Sequence, residues 1–233
     1  MAVSKLETLS HTSIGWCGFA RLPYTDRMKV LLIGATGGTG QLILPLLLEA
    51  GHEVTALARK PSAIALRNPK LRIVEGEARD AASIERAVAG QDAVISAFGP
   101  RSFGKSDLQE TFLRNLVAAM EKQGVKRLVN LSAWGSRESI RHSRLPLKII
   151  RATLLRHVYA DKERGEAWVD ASPLDYTHVR PGRLLNSKAR GGVRASMDGA
   201  GMQNKMTRAD LAAFMVAQLT DATWSRKGPL IGY

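Results

Sequence analysis

The stretch MKVLLIGATGGTG, residues 28–40, decides the fold class of this chain. A short apolar run of strand length ends in seven residues of which four are glycine. Glycine packs no side chain and loses much backbone entropy on folding, so this cluster indicates a tight turn or a close approach to the backbone. Gly34, Gly37 and Gly40 form the spacing GxxGxxG between a strand-like and a helix-like segment, which is typical of dinucleotide-binding turns. A glycine-rich turn with a purely structural role is the alternative.

Short apolar segments alternate with segments of helical period along the rest of the chain. The strand-like segments are 29–35, 53–59, 71–80, 92–100, 127–136 and 174–184, and the helix-like segments are 40–52, 81–91, 107–125, 145–171 and 207–221. Such alternation predicts parallel βαβ units, and nearly continuous apolar strands predict a sheet that is covered on both faces. We therefore predict an α/β fold, a single Rossmann-type doubly wound parallel sheet with helices on both faces and a small C-terminal substrate region. Thr207 and Asp210 are spaced as a capping box at the start of the last helix.

The first 27 residues show no clear period and are expected to be a flexible extension that precedes the domain at 28–233. A targeting segment and a misplaced start are the alternatives, because Met28 stands directly before the first strand. The apolar part of this extension is too short and too polar for a convincing signal peptide.

Composition and charge limit the possible partners. The formal net charge is +13, but the basic residues are scattered and aromatic residues make up 6% of the chain. A solvated basic surface or a cleft for a phosphorylated cofactor is therefore expected rather than a nucleic-acid interface. The sequence contains no run of eighteen apolar residues, so no membrane span is predicted. The single cysteine, Cys17, excludes an internal disulfide and favours a cytoplasmic location.

The end of the second strand-like segment distinguishes between the two nicotinamide cofactors. A carboxylate at this place would bind the ribose hydroxyls of NAD, but the chain has Arg59 and Lys60 after Ala58. A guanidinium can bind a 2′-phosphate through two hydrogen bonds, and one charge-assisted bond contributes about 1.5–3 kcal/mol. The pattern predicts that NADPH is preferred over NADH by at least about tenfold. A solvated surface arginine is the alternative.

Five segments together resemble a known family. VLLIGATGGTG, ALARKPSA, DAVISAFGP, VKRLVNLSAWGS and SPLDYTHVRPGRL are similar to the atypical short-chain dehydrogenase/reductases, in the NAD(P)H-binding branch with NmrA-like and biliverdin/flavin-reductase-like members. The resemblance runs from residue 28 to the C-terminus. It implies a Rossmann fold with NADP along the carboxyl ends of the strands. It does not imply one substrate, because members include reductases and non-catalytic redox sensors.

The resemblance also implies which residues bind the cofactor. All but Lys162, which lies in the helix-like segment at 145–171, stand at or after the ends of strand-like segments. They are Gly34, Thr36, Gly37, Gly38, Thr39, Gly40, Arg59, Lys60, Ala97, Phe98, Gly99, Lys162, Arg180 and Pro181. The turn would surround the pyrophosphate, and Arg59 would hold the 2′-phosphate. Residues 97–99 would line the adenosine and ribose, Lys162 would bond the nicotinamide ribose, and 180–182 would pass beside the nicotinamide ring.

The predicted site departs from the classical pattern at the proton donor. In the classical family a tyrosine four residues before the lysine donates a proton, and a serine orients the substrate. Here Val158 holds that position, and Tyr159 lies three residues before Lys162. Positions i−3 and i−4 both neighbour a helical residue but point about 100° apart. Ser132, Tyr159 and Lys162 are the predicted catalytic residues. Alternatively, Tyr159 packs and Lys162 is a surface lysine paired with Glu166.

The expected function is an NADPH-dependent reductase of a small planar or carbonyl acceptor, such as a flavin or quinone. A conjugated acceptor can take its proton from water, which suits a chain without a clear donor. A non-catalytic protein that senses NADP(H) is the alternative. We expect a monomer or homodimer. No metal is expected, since the five histidines show no metal-ligand spacing and the chain has one cysteine. His142 and His157 stand isolated among basic residues, and we expect them to be solvated. Arg101 and Lys105, in the loop at 99–107, either bind an anionic substrate or are solvated.

Overall fold

The computed structural model describes residues 27–99, 104–143 and 145–233. The predicted extension at 1–27 lies outside the described residues except for its last residue, and Arg101 lies outside them too. The strands are β1 (Lys29–Ile33), β2 (Glu53–Ala58), β3 (Leu71–Glu75), β4 (Ala93–Ser96), β5 (Arg127–Leu131), β6 (Asp175–Pro181), β7 (Arg183–Leu185), β8 (Arg194–Ser196), β9 (Lys205–Thr207) and β10 (Leu230–Gly232). The α-helices are α1 (Gly40–Glu49), α2 (Ala81–Val88), α3 (Leu108–Gln123), α4 (Leu145–Ala152), α5 (Arg156–Ala171) and α6 (Arg208–Ala217).

Eight strands form one sheet in the order β3-β2-β1-β4-β5-β6-β10-β8. Neighbouring strands pair in parallel except β8, which runs antiparallel to β10. The first six strands have the order 3-2-1-4-5-6 of the doubly wound dinucleotide-binding fold. The predicted Rossmann-type sheet is therefore confirmed. The strand order reverses between β1 and β4, and ligands of such sheets bind at the carboxyl ends of the strands at this point.

The apolar run of β1 supplies both faces of the sheet. Val30 and Leu32 belong to an apolar cluster that includes residues of α1 and α6. Leu31 and Ile33 belong to a second cluster, which includes residues of α2 and α3. Successive side chains of a strand point to opposite faces, so a strand buried on both sides has no polar position. The helices therefore cover both faces, as predicted.

The last helix begins at the predicted cap. The Thr207 hydroxyl accepts a hydrogen bond of 3.0 Å from the backbone N–H of Asp210, and it donates one of 2.7 Å to the Asp210 carboxylate. Both side chains are buried. This cap fixes the first turn of α6, which packs against α1 in the same apolar cluster.

Two expected elements are divided in the structure. The helix-like stretch at 145–171 forms the two helices α4 and α5, and the segment at 174–184 forms β6 and β7. Gly182 lies between these two strands, and a Cβ there would lie 2.0 Å from the carbonyl oxygen of Asn204. The sequence did not predict β8, β9 and β10, which have three residues each.

Within the part of the chain that the structure describes, no helix is long and apolar enough to cross a membrane.

Candidate functional site

The glycine-rich turn brings the ends of β1 and β4 together. Gly34 has a φ of +85°, in the left-handed region that favours glycine. A Cβ at Gly34 would lie 2.7 Å from the carbonyl oxygen of Ala97, and one at Gly40 would lie 2.1 Å from the carbonyl oxygen of Gly34. The N–H of Gly37 donates to the Gly34 carbonyl at 2.9 Å. Side chains would therefore fill the turn, and its open backbone at the start of α1 suits a phosphate group.

The cations after β2 are exposed. Arg59 and Lys60 form no side-chain hydrogen bond or ion pair with any described residue, whereas the preceding Ala58 is buried. No carboxylate stands at 59 or 60, so nothing at these two positions repels a 2′-phosphate. The arrangement leaves both charges available to an anionic ligand.

The end of β4 forms the other wall of the turn. The N–H of Ala97 donates to the Ile33 carbonyl at 2.9 Å and continues the pairing of β4 with β1. The Phe98 ring packs against Phe112 with ring centroids 4.7 Å apart. Gly99, the last described residue before a gap, is exposed. These three predicted residues therefore lie next to the glycine-rich turn.

A cluster of buried charged side chains occupies the ends of β5 and β6. The Ser132 hydroxyl donates to Oε1 of Glu166, and the guanidinium of Arg180 donates to Oε2 of Glu166 at 3.2 Å. Arg180 also donates to the Glu138 carboxylate. Glu166 is fully buried, and Arg180 is 2% exposed. Burial alone would lower the pKa of Arg180, but Glu166 and Glu138 outweigh it and raise this pKa. We call Ser132, Lys162, Glu166 and Arg180 the buried charge cluster, and Glu138 is its exposed partner.

Lys162 belongs to this cluster and is 7% exposed. Its Nζ donates to the Leu131 carbonyl at 3.3 Å. Burial lowers the pKa of Lys162, while the negative charges of Glu166 and Asp161 act in the opposite direction. The alternative of a surface lysine is therefore wrong. One of the three N–H donors of an ammonium bonds Leu131, which leaves others for a ligand.

The Tyr159 hydroxyl bonds a backbone carbonyl rather than Lys162. It donates to the carbonyl of Trp134 at 2.8 Å, and the Tyr159 ring lies under the guanidinium of Arg151. Burial raises the pKa of Tyr159 above its ordinary value. The Ser132 hydroxyl thus bonds Glu166, whose negative charge also acts on Lys162, whereas the Tyr159 hydroxyl is engaged by the Trp134 carbonyl. The catalytic roles of these three residues stay predictions.

The predicted turn at Arg180 and Pro181 is part of the sheet. Pro181 pairs with Ile231 of β10, and its carbonyl accepts the N–H of Trp134 at 2.8 Å. The Arg180 side chain points into the buried charge cluster, so only the backbone of this turn is left to pass beside a ligand.

Comparison with known proteins identifies the family. Residues 34–222 match the sequence profile of the family described as NAD(P)H-binding. The chain belongs to this NAD(P)H-binding family. The resemblance that the five sequence segments carry is thereby confirmed at the level of the family.

Proteins that are similar in sequence to this NAD(P)H-binding chain differ in their described activity. An uncharacterized chloroplastic protein of Arabidopsis thaliana is 33% identical over 181 residues, which cover 71% of this chain and 62% of that protein. The uncharacterized sugar epimerase YhfK of Bacillus subtilis is 30% identical over 206 residues, which cover 83% of this chain and 89% of that protein. The (4-alkanoyl-5-oxo-2,5-dihydrofuran-3-yl)methyl phosphate reductase of Streptomyces griseus is 28% identical over 191 residues, which cover 82% of this chain and 63% of that protein.

A solved structure of another protein has the same fold as this NAD(P)H-binding chain. The short-chain dehydrogenase/reductase of Veillonella parvula in complex with NADP superposes with a TM-score of 0.72 at 18% identity, covering 88% of this chain and 94% of that one. The family match places this chain among NAD(P)H-binding proteins.

Two carboxylates, the buried Asp161 and the exposed Glu138, have roles that the sequence did not indicate. Asp161 is 1% exposed and accepts the backbone N–H groups of Gln109 and Glu110, each at 3.1 Å, at the start of α3. Glu138 closes the buried charge cluster from the segment before α4. Only Glu166 had a sequence signal, its spacing of four residues from Lys162.

Proposed function

We propose that this protein is an NADPH-dependent reductase that transfers hydride to a small planar or carbonyl acceptor such as a flavin or quinone. The observation that carries the proposal is the open glycine-rich turn at the reversal of strand order, with exposed Arg59 and Lys60 at the end of the neighbouring strand. An NADPH molecule would place its pyrophosphate on the turn and its 2′-phosphate at Arg59.

The chain's own residues would orient the ligands in this reaction. The bound cofactor would supply the hydride. Lys162 keeps N–H donors for the hydroxyls of the nicotinamide ribose, and the backbone at 180–182 would pass beside the ring. The Ser132 hydroxyl donates to Glu166, and its oxygen can still accept a hydrogen bond from an acceptor molecule.

We infer that the proton comes from water. The Tyr159 hydroxyl donates to a backbone carbonyl, so Tyr159 would have to leave Trp134 before it could protonate a substrate. A flavin or quinone can take up its proton from solvent after the electrons have delocalised. This consideration favours a conjugated acceptor over a simple ketone.

Calorimetric titration with NADPH and with NADH tests the cofactor. We expect NADPH to bind at least about tenfold more tightly than NADH, and Arg59→Ala to remove this difference while NADH binding stays unchanged. Lys122→Ala, which removes an exposed charge on α3 paired with Glu85, is the matched control. Equal binding of both cofactors to the unmodified protein would refute the role of Arg59, and binding of neither would refute the proposal as a whole.

The second candidate function is a non-catalytic protein that senses NADP(H). It is supported by the Ser132 and Tyr159 hydroxyls, which both donate to groups inside the protein. Steady-state oxidation of NADPH with flavins and quinones distinguishes the two functions. Turnover supports the reductase, whereas tight NADPH binding without turnover of any such acceptor supports the sensor.

The remaining expectations concern the surroundings of the protein. We propose that it acts in the cytoplasm as a monomer or homodimer, without a metal and without binding nucleic acid. Sedimentation velocity gives the oligomeric state. A DNA titration at low and at physiological salt tests whether the net charge of +13 attracts nucleic acid.

A further inference from the structure

A cationic side chain from the C-terminal part of the chain lies against the glycine-rich turn. If Gly38 carried a Cβ, its three nearest atoms would all belong to Arg208, with Nε at 3.1 Å and Cδ at 3.3 Å. Gly38 is not one of the three glycines of the GxxGxxG spacing, and its φ is not in the left-handed region. The fourth glycine of the turn therefore makes room for Arg208.

The surrounding structure holds Arg208 in this place. Arg208 is the first residue of α6, directly after the cap residue Thr207. Asp210, in the same turn of the helix, accepts the backbone N–H groups of Arg190 and Gly191 at 2.9 and 3.1 Å. Burial alone would raise the pKa of Asp210, but the hydrogen bonds from Tyr233, Arg190 and Thr207 outweigh burial and lower this pKa. Asp210 is therefore ionised at neutral pH. The backbone of Arg208 is thus held in place by the cap at Thr207 and by the hydrogen bonds of Asp210.

The charge of Arg208 has no negative partner among the described residues. Its Nη1 donates to Oδ1 of Asn186, a neutral amide, and it forms no ion pair with a described carboxylate. The N-terminus of α1, which begins at Gly40, carries a partial positive charge of its own. A guanidinium beside another positive end is unfavourable until an anion binds between them. A phosphate group would satisfy both.

We propose that Arg208 is a ligand of the cofactor pyrophosphate, approaching the glycine-rich turn from α6. This inference rests on the proposed function, because it needs the cofactor to bind at the turn. A guanidinium suits this role since its parallel N–H groups match two phosphate oxygens. Arg59 and Arg208 would then divide the anionic groups between them. Arg59 would bind the 2′-phosphate that only NADPH has, and Arg208 would bind the pyrophosphate that both cofactors share.

Calorimetric titration of Arg208→Ala with NADPH and with NADH tests this division. We expect both affinities to fall by about tenfold or more and by the same factor, since a charge-assisted hydrogen bond is lost in either case. Arg208→Lys, which keeps the charge but not the planar pair of donors, should lose less. Lys122→Ala removes one positive charge at the end of α3 and should leave both affinities unchanged.

Three outcomes would overturn the inference. Unchanged affinities in Arg208→Ala would show that Arg208 touches no part of the cofactor. A loss for NADPH alone would place Arg208 at the 2′-phosphate, and an equal loss in Lys122→Ala would reduce the effect to net charge. A failure of the proposed function looks different, because the unmodified protein would then bind neither cofactor. A thermal unfolding midpoint for each variant shows whether a loss of affinity comes from misfolding.

Discussion

The two sides of the candidate cleft differ in whether their polar side chains are paired within the protein. At the glycine-rich turn and after β2, the structure leaves cations without carboxylate partners, and Arg59 and Arg208 are the examples. At the ends of β5 and β6, Ser132 and Arg180 both donate to Glu166, and all three side chains are almost completely buried. The first side is arranged to receive an anion, whereas the second is already satisfied within the protein.

This difference shows why a sequence match predicts the role of a residue better on the first side than on the second. A glycine in a turn acts through its backbone, so its role follows from its place in the chain. A serine or an arginine acts through its side chain, whose direction depends on which distant residues fold beside it. We therefore expect substitutions of Arg59 and Arg208 on the turn side to change cofactor binding, and substitution of Glu166 on the buried side to change stability.

The largest expected effect is the loss of Glu166. Glu166→Ala removes the carboxylate between Ser132 and Arg180 and leaves a buried guanidinium with one carboxylate fewer. Removing one partner of a buried ion pair costs about 3–5 kcal/mol, and we expect urea unfolding to show a loss of this size. Glu85→Ala, which breaks the exposed pair with Lys122, should cost less than about 1 kcal/mol. Equal costs for the two variants would remove the contrast between the two sides.

The next effect distinguishes two glycines of one turn. Gly40→Ala would place a Cβ 2.1 Å from the backbone carbonyl of Gly34, and we expect a loss of about 1–3 kcal/mol together with a loss of NADPH binding. Gly38→Ala meets only the flexible side chain of Arg208, so its stability should change by less than about 0.5 kcal/mol. Thermal unfolding and NADPH titration of both variants give the comparison. A larger loss of stability for Gly38→Ala would contradict it.

Acid should weaken the support of Arg208. The pKa of Asp210 is lowered in the folded protein, so its contribution to stability is fully present above about pH 4, the ordinary carboxyl pKa. That contribution is lost as the pH falls through the lowered pKa. Asp210→Asn should therefore cost about 1–2 kcal/mol at pH 7 and flatten the fall of stability below pH 4. Urea unfolding between pH 2.5 and 7 measures both, and an unchanged slope in the variant would exclude Asp210 as a source of the acid sensitivity.

The smallest expected effect concerns Tyr159. Tyr159→Phe leaves the Trp134 carbonyl without its donor, which should cost about 1 kcal/mol of stability. With a quinone acceptor, the rate of NADPH oxidation should stay within about twofold of the unmodified protein. A rate that falls by about a hundredfold would make Tyr159 the proton donor, and the second side of the cleft would then contain a reactive group.

The sequence predicted the sheet better than it predicted the site. The alternating segments gave β1 to β6 and the helices between them, since apolar period and helix-ending glycines act locally. The three-residue strands β8 to β10 have no period of their own, and each forms on the edge of another strand. β10 pairs with β6, β8 pairs with β10, and β9 pairs with β7. The turn at 34–40 was predictable for the same local reason.

The surroundings of Lys162 and Arg180 were not predictable from their neighbours in the chain. Both side chains are buried by residues from β5, α5 and the segment at 137–142, which are brought together only by the fold. Glu138 and Arg180 are 42 residues apart in the chain. Arg208 was missed because its partner is a turn that lies some 170 positions earlier.

The cap that Asp161 provides ties the start of α3 to a helix that the chain completes much later. The amides of Gln109 and Glu110 find their acceptor 52 and 51 positions further along. Gly165 lets the two helices approach so closely that a Cβ there would lie 2.8 Å from the Gln109 carbonyl. The first turn of α3 is therefore complete only once α5 has docked. Deuterium uptake at these two amides would report that docking, and would do so in the native protein without any denaturant.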